Sequence, residues 1–283
     1  MSISFILVTF LLQMAIGMTL TAAILPPAMI DKHFFKSISF WAFLFTAMAL
    51  VLKYNSTFHL PEIFGNTVAG PSLLQRGGLF LFYFFGLLCV RLWWRINFKD
   101  ITVTRGELFS IAVVGLAALV IDALLFRPNI PPLWTQTVLI PFNFISASLL
   151  LGGFLTGMIF GHWYLVNTDM PKKLLVKMSW VMILVLGIRI LSVVTSLWIY
   201  KTIIHPNSDF LNTLVSFEGH GIFFWQRILV GLGIPSVVVG LIWGTARIGS
   251  NQSATGIMYV AVAFVFIGEL AARYLFLLSA IPL

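Results

Sequence analysis

The chain has 283 residues, of which 60% are apolar and 9% charged, with a mean hydropathy of +1.02. A soluble domain carries about 25% charged residues, so this chain lacks the side chains for a water-facing skin and reads as an all-α, polytopic membrane helix bundle. The net charge of +8 does not point to nucleic acid, because the basic residues fall mostly in short loops between apolar runs, as expected of a membrane protein.

One bilayer crossing takes about 20 mostly apolar residues. The apolar runs predict eight such helices at 4–28, 35–52, 72–94, 108–127, 137–164, 178–200, 222–244 and 255–279. They form a single transmembrane domain over 1–283, with no stretch left for a separate soluble unit. The first run follows an uncharged Met1-Ser2-Ile3 rather than a basic leader, so it is expected to stay as a helix. Pro26-Pro27 ends or kinks it. The third run opens on Gln75 and Arg76 and closes on Trp93 and Trp94, which suit a membrane–water interface. Pro128, Asn129, Pro131 and Pro132 break the chain between the fourth and fifth helices.

Gly153, Gly157 and Gly161 repeat every fourth residue in the fifth helix, and Gly240 and Gly244 do so in the seventh. Such stripes are expected to let helix backbones approach closely. Pro235, after Gly231 and Gly233, predicts a kink inside the seventh helix.

Orientation follows the loop charges. The odd-numbered loops carry Lys32, Lys36, Arg91, Arg95, Lys99, Arg105, Lys172, Lys173, Lys177 and Arg247, against Lys53, Arg76, Arg127 and Lys201 in the even-numbered ones. The basic side is expected to be cytoplasmic and both termini extracytoplasmic. The expected home is a bacterial cytoplasmic membrane.

Five charges cannot be assigned to loops: Asp122, Arg189, Arg227, Glu269 and Arg273. An ionised side chain at membrane depth costs several kcal/mol unless it faces the bundle and finds a partner. A helical rise of about 1.5 Å per residue puts Arg189 near the midplane, Glu269 roughly 3 Å outward, and Asp122, Arg227 and Arg273 roughly 7–9 Å outward. Glu269 and Arg273 are i,i+4 neighbours and can pair on one helix face. Two readings stand: ion pairs that lock helices together, or a polar pocket open to the outer leaflet, in which carboxylates beside arginines exchange protons with a ligand such as a quinol.

Histidine placement argues against a bis-histidine haem and leaves open one held by a single His with Met or another axial partner. His162 lies at the inner end of helix five and His220 at the outer start of helix seven, most of a bilayer apart, so they cannot ligate one iron. The single cysteine, Cys89, excludes a four-cysteine iron–sulfur cluster and a cysteine-rich zinc site. His59, His205, Asp209, Glu218 and His220 share the outer side without metal-ligand spacing and are expected to be solvated loop residues. No phosphate loop or dinucleotide fingerprint occurs.

The last helix reads Gly268-Glu269-Leu270-Ala271-Ala272-Arg273-Tyr274-Leu275-Phe276. With eight helices and external termini, this segment resembles the membrane anchors of dimethyl sulfoxide and polysulfide reductases, the NrfD-like group. The resemblance implies a haem-free integral membrane subunit of a respiratory electron-transfer complex. Such a subunit holds extracytoplasmic redox partners and interacts with quinone or quinol near the outer leaflet. Glu269 and Asp122 would then be the proton-handling residues, and Arg273, Arg227, Arg189 and His220 the quinone-binding set. The Gly161-His162-Trp163-Tyr164-Leu165 and Gln252-Ser253-Ala254-Thr255-Gly256 segments have no place in that family pattern. The same charges also suit a secondary transporter or proton-coupled carrier, or a non-catalytic assembly subunit.

Overall fold

The computed structural model describes residues 3–55, 72–99, 102–128, 130–167, 171, 173–204, 214–217 and 221–283. Among these, eight helices are long and apolar enough to cross a membrane, which is the all-α polytopic architecture that the apolar runs predict. They are α1 (Ile3–Ile24), α2 (Lys32–Asn55), α3 (Ser72–Phe98), α4 (Arg105–Leu125), α5 (Leu133–Val166), α6 (Lys173–Ile204), α7 (Gly221–Arg247) and α8 (Asn251–Ser279).

Most helices run about a turn beyond the apolar stretch that announces them. Backbone hydrogen bonding and caps set a helix end, whereas hydropathy marks only the part in lipid. At α4 the extension has a visible cause. The Thr104 hydroxyl accepts from Glu107 N at 3.3 Å and the Glu107 carboxylate accepts from Thr104 N at 3.3 Å, a reciprocal capping box. Glu107 also pairs with Arg95 at the end of α3, tying the two helices together on the basic side. Lys53, expected in a loop, belongs instead to the last turn of α2. Pro26-Pro27 does end α1, and a short 3-10 turn, Pro27–Met29, follows.

α1 and α5 form the centre. α5 packs on α1, α4, α6 and α8, while α2 and α3 flank α1 and α4, and α7 lies between α6 and α8. The α1–α5 crossing is set by Gly17 and Gly152: a methyl on Gly152 would sit 1.9 Å from Gly17 C, so no side chain fits at either position. The Gly153, Gly157 and Gly161 stripe is packed as expected, first on Val185 and Met182 of α6 and then on Thr255 and Met258 of α8. The Gly240 and Gly244 pair is different. Nothing lies within 4 Å of a methyl built at either, so that face of α7 looks outward. Phe80, Leu87, Leu184, Leu191 and Val237 are exposed too, as expected of a surface made for lipid.

The bend predicted at Pro235 takes a specific form. α7 is π-helical over Gln226–Gly233, and Ile234 N–H bonds Leu229 O, five residues back. Proline has no N–H to give and crowds the preceding turn; the widened turns absorb that conflict without a break in the rod. A π stretch also rotates every side chain upstream of it relative to an α register, and Arg227 lies within it.

After α8 the chain reverses. Ala280 takes the left-handed conformation with φ 58°, and Ile281 and Leu283 are each 1% exposed. The tail is held by Tyr200, whose hydroxyl donates to Ala280 O at 2.7 Å, and by Asn143, whose Nδ2 donates to Pro282 O at 2.9 Å.

Candidate functional site

Three of the other four intramembrane charges converge on Glu269 of α8. Arg189 of α6 grips it side-on, with Nε donating to Oε1 at 2.9 Å and Nη2 to Oε2 at 3.2 Å. Arg273, one turn along α8, donates from Nη1 to Oε2 at 3.1 Å. Arg227 of α7 brings Nη2 to 2.8 Å from Oε1. Glu269, Arg189 and Arg227 are each no more than 1% exposed, and Arg273 is 6% exposed. Each carboxylate oxygen faces two guanidinium nitrogens.

Polar residues from α1 and α5 extend the network. Arg189 Nη1 donates to Asn143 Oδ1 at 2.8 Å and to Ser146 Oγ at 3.0 Å, and its Nη2 donates to the main-chain oxygen of Leu283 at 2.7 Å. Arg273 Nη2 donates to Gln13 Oε1, and its guanidinium lies over the Phe10 ring, 5.3 Å from the centroid. Asn143 Nδ2 reaches Ser192 Oγ at 3.3 Å. The bundle is therefore joined across α1, α5, α6, α7 and α8 at one level.

Helix packing places these groups. Gly231 and Gly268 are where α7 and α8 meet, and a methyl on Gly268 would sit 2.1 Å from Gly231 Cα. That contact, next to Glu269 in sequence, brings the Arg227 turn against the carboxylate. Yet Arg227 is under-satisfied. None of its three guanidinium nitrogens makes a hydrogen bond among the described residues, the approach to Glu269 being ionic and out of line. Arg273 Nε is likewise buried without a hydrogen bond among them.

Beside the cluster lies a cavity of about 20 Å³. Its polar lining is Thr9, Gln13, Asn143, Arg189, Glu269 and Arg273. Phe5, Phe144 and Phe276 form its apolar wall, and Pro282 and Leu283 of the returning tail border it. It thus adjoins the same tail that Tyr200 and Asn143 hold in place.

Asp122 stands apart from this network. It is 2% exposed on α4, and its ion pair is with Lys53 of α2, at 2.8 Å. Lys53, 16% exposed, also lies over the Phe82 ring at 5.3 Å from the centroid. The polar-pocket reading of these charges is corrected for Asp122, which does not join the cluster: the residue that answers it is Lys53, which the loop assignment set aside. His220 lies outside the described residues, as do His59, His205, Asp209 and Glu218. His162 is exposed at the end of α5 and its Nδ1 is 3.2 Å from the Tyr259 hydroxyl of α8. The two segments that the anchor resemblance leaves over, Gly161–Leu165 and Gln252–Gly256, thus pack against each other, with Gly161 facing Thr255. Among the described residues no three His, Cys, Asp or Glu side chains gather as a metal site.

Gln13 and Asn143 were missed at the sequence level. A signal existed: each is a lone amide within an otherwise apolar run, and a buried amide requires partners.

No protein-family model, curated protein or solved structure matches the chain.

Proposed function

We propose that this membrane protein is a carrier whose binding centre is the Glu269–Arg189–Arg227–Arg273 cluster, reached by a small polar solute from the side that bears Leu283. The observation that carries the reading is the π-helical stretch of α7, Gln226–Gly233, at the level of the buried charges. π turns recur at functional sites, and intramembrane ionisable groups are rarely kept without use. The cavity beside the cluster suits one small particle. The test is flux through purified protein in liposomes against a panel of small anionic, cationic and neutral solutes. Saturable uptake of one class, reduced by Arg227→Gln, is the expected result; liposomes that pass none of them overturn the reading.

A second reading is favoured by the three phenylalanine rings beside Gln13 and Arg273. It is the quinone-linked subunit that the NrfD-like resemblance implies, with the ring reaching the cluster when the tail lifts. Glu269 would accept the quinol proton, Arg273, Arg227, Arg189 and His220 would hold ring oxygens, and Asp122 would pass the proton outward. Redox chains and a quinone that copurify from the native membrane after gentle extraction would replace the carrier reading with this one. A quinol-linked activity that survives Glu269→Gln would sink it.

A further inference from the structure

Charge balance at the cluster leaves a specific gap. Arg189, Arg227 and Arg273 surround one carboxylate, so the side chains carry two positive charges in excess. Leu283 adds a main-chain oxygen at 2.7 Å from Arg189 Nη2; even a full negative charge there would leave one positive charge unmatched among the described residues. Gln13 and Asn143 present amide oxygens, and Ser146 a hydroxyl; all are neutral. In a low-dielectric interior an unpaired ion is far more costly than a neutral polar group. Water in the cavity would solvate the excess but not cancel it.

The cavity is lined by two of the three arginines and by Glu269. Arg273 Nε is buried without a hydrogen bond among the described residues, and Arg273 and Arg189 both line the space. Arg227, whose three nitrogens also lack a hydrogen bond among the described residues, does not line the space and adds its charge from beside Glu269. One water-sized particle needs about 10–15 Å³ by this measure, and the cavity offers about 20 Å³.

We propose that the cavity between Arg273, Arg189, Gln13 and Asn143 binds one small monovalent anion of about halide size. This names the solute class of the carrier reading and rests on that reading only for transport; binding stands on the charge count and the cavity alone. Arg273 and Arg189 line the space and hold the anion by charge together with Arg227, outweighing the single Glu269 carboxylate that also lines it, and Phe5, Phe144 and Phe276 form the apolar wall.

The test compares thermal unfolding of the full chain in detergent at constant ionic strength, with chloride, bromide, formate or acetate exchanged for isethionate, which is too large for the space. The midpoint should rise saturably with chloride and bromide. Formate and acetate decide whether the anionic group of a small acid is accepted as well. Gln13→Glu sets a built-in carboxylate beside Arg273. It should unfold later than the parent in isethionate and lose the halide response. Arg273→Gln should weaken half-saturation by about 30-fold or more; if it does not fold, bromide located by anomalous scattering in the unaltered protein takes its place. Equal midpoints in chloride and isethionate, a halide response that survives Gln13→Glu, or a site that holds water alone would overturn the proposal. Halide binding without flux would keep it and remove the carrier reading. Flux of a cationic or neutral solute without halide binding would do the reverse.

Discussion

Glu269 is the one acceptor that three buried guanidinium groups share, and this asymmetry governs what its loss should do. Glu269→Gln leaves those cations facing a neutral amide in a medium that cannot solvate them. Breaking a buried ion pair in this way costs about 3–5 kcal/mol, so the variant should unfold at markedly lower temperature in detergent or fail to accumulate. Asp122→Asn should cost less, about 1–3 kcal/mol. Lys53 is 16% exposed and can carry its ammonium toward the interface on a flexible stem, an escape closed to Arg189 and Arg227. Unfolding curves of the two variants side by side check the order. Equal losses would mean that Lys53 is held as firmly as the arginines.

At the scale of elements, the Gly231–Gly268 pair between α7 and α8 and the Gly240–Gly244 pair on α7 should respond in opposite ways. Gly268→Ala puts a methyl 2.1 Å from Gly231 Cα, so α7 and α8 must separate. Overpacking of this kind costs about 1–3 kcal/mol or more, and it draws Arg227 away from Glu269. Gly240→Ala meets nothing within 4 Å and should leave the unfolding midpoint unchanged or slightly raised, since alanine favours helix over glycine by about 1 kcal/mol. The same comparison explains where pattern reading misleads. Gly153, Gly157, Gly161, Gly240 and Gly244 all carry the four-residue spacing, but spacing records only that residues share a face. Whether another backbone lies against that face depends on which helices become neighbours. Pro235 teaches a related lesson. Its missing N–H is visible in the sequence, whereas the choice between a sharp kink and a π stretch depends on how α7 meets α8 at Gly231.

For the whole molecule, eight crossings place the loop around Ser250 and the loop around Pro128 on opposite faces of the membrane. The single native cysteine, Cys89, is buried, so it should stay silent toward an impermeant thiol reagent. In cells, Pro131→Cys, at an exposed position, should label from outside, and Ser250→Cys only after permeabilisation, if the basic loops face the cytoplasm. Labelling of both from one side would contradict the eight-span topology; reversed sidedness would overturn only the orientation.

The architecture was legible from the chain itself, because burial in lipid is a requirement on composition. Each crossing demands a long apolar run and each loop attracts the charges that lipid rejects, so the helices from Ile3–Ile24 to Asn251–Ser279 announce themselves one by one. The presence of misplaced charges was legible for the same reason, and so was the Glu269–Arg273 pair, since both lie on one turn. What the charges do to one another was not. Arg189 lies 80 residues from Glu269 in sequence and bonds it directly, Gln13 meets Arg273, and Asp122 turns to Lys53. Local periodicity says which way a side chain points on its own helix; only the packing of α1, α5, α6, α7 and α8 together determines which of those directions meet.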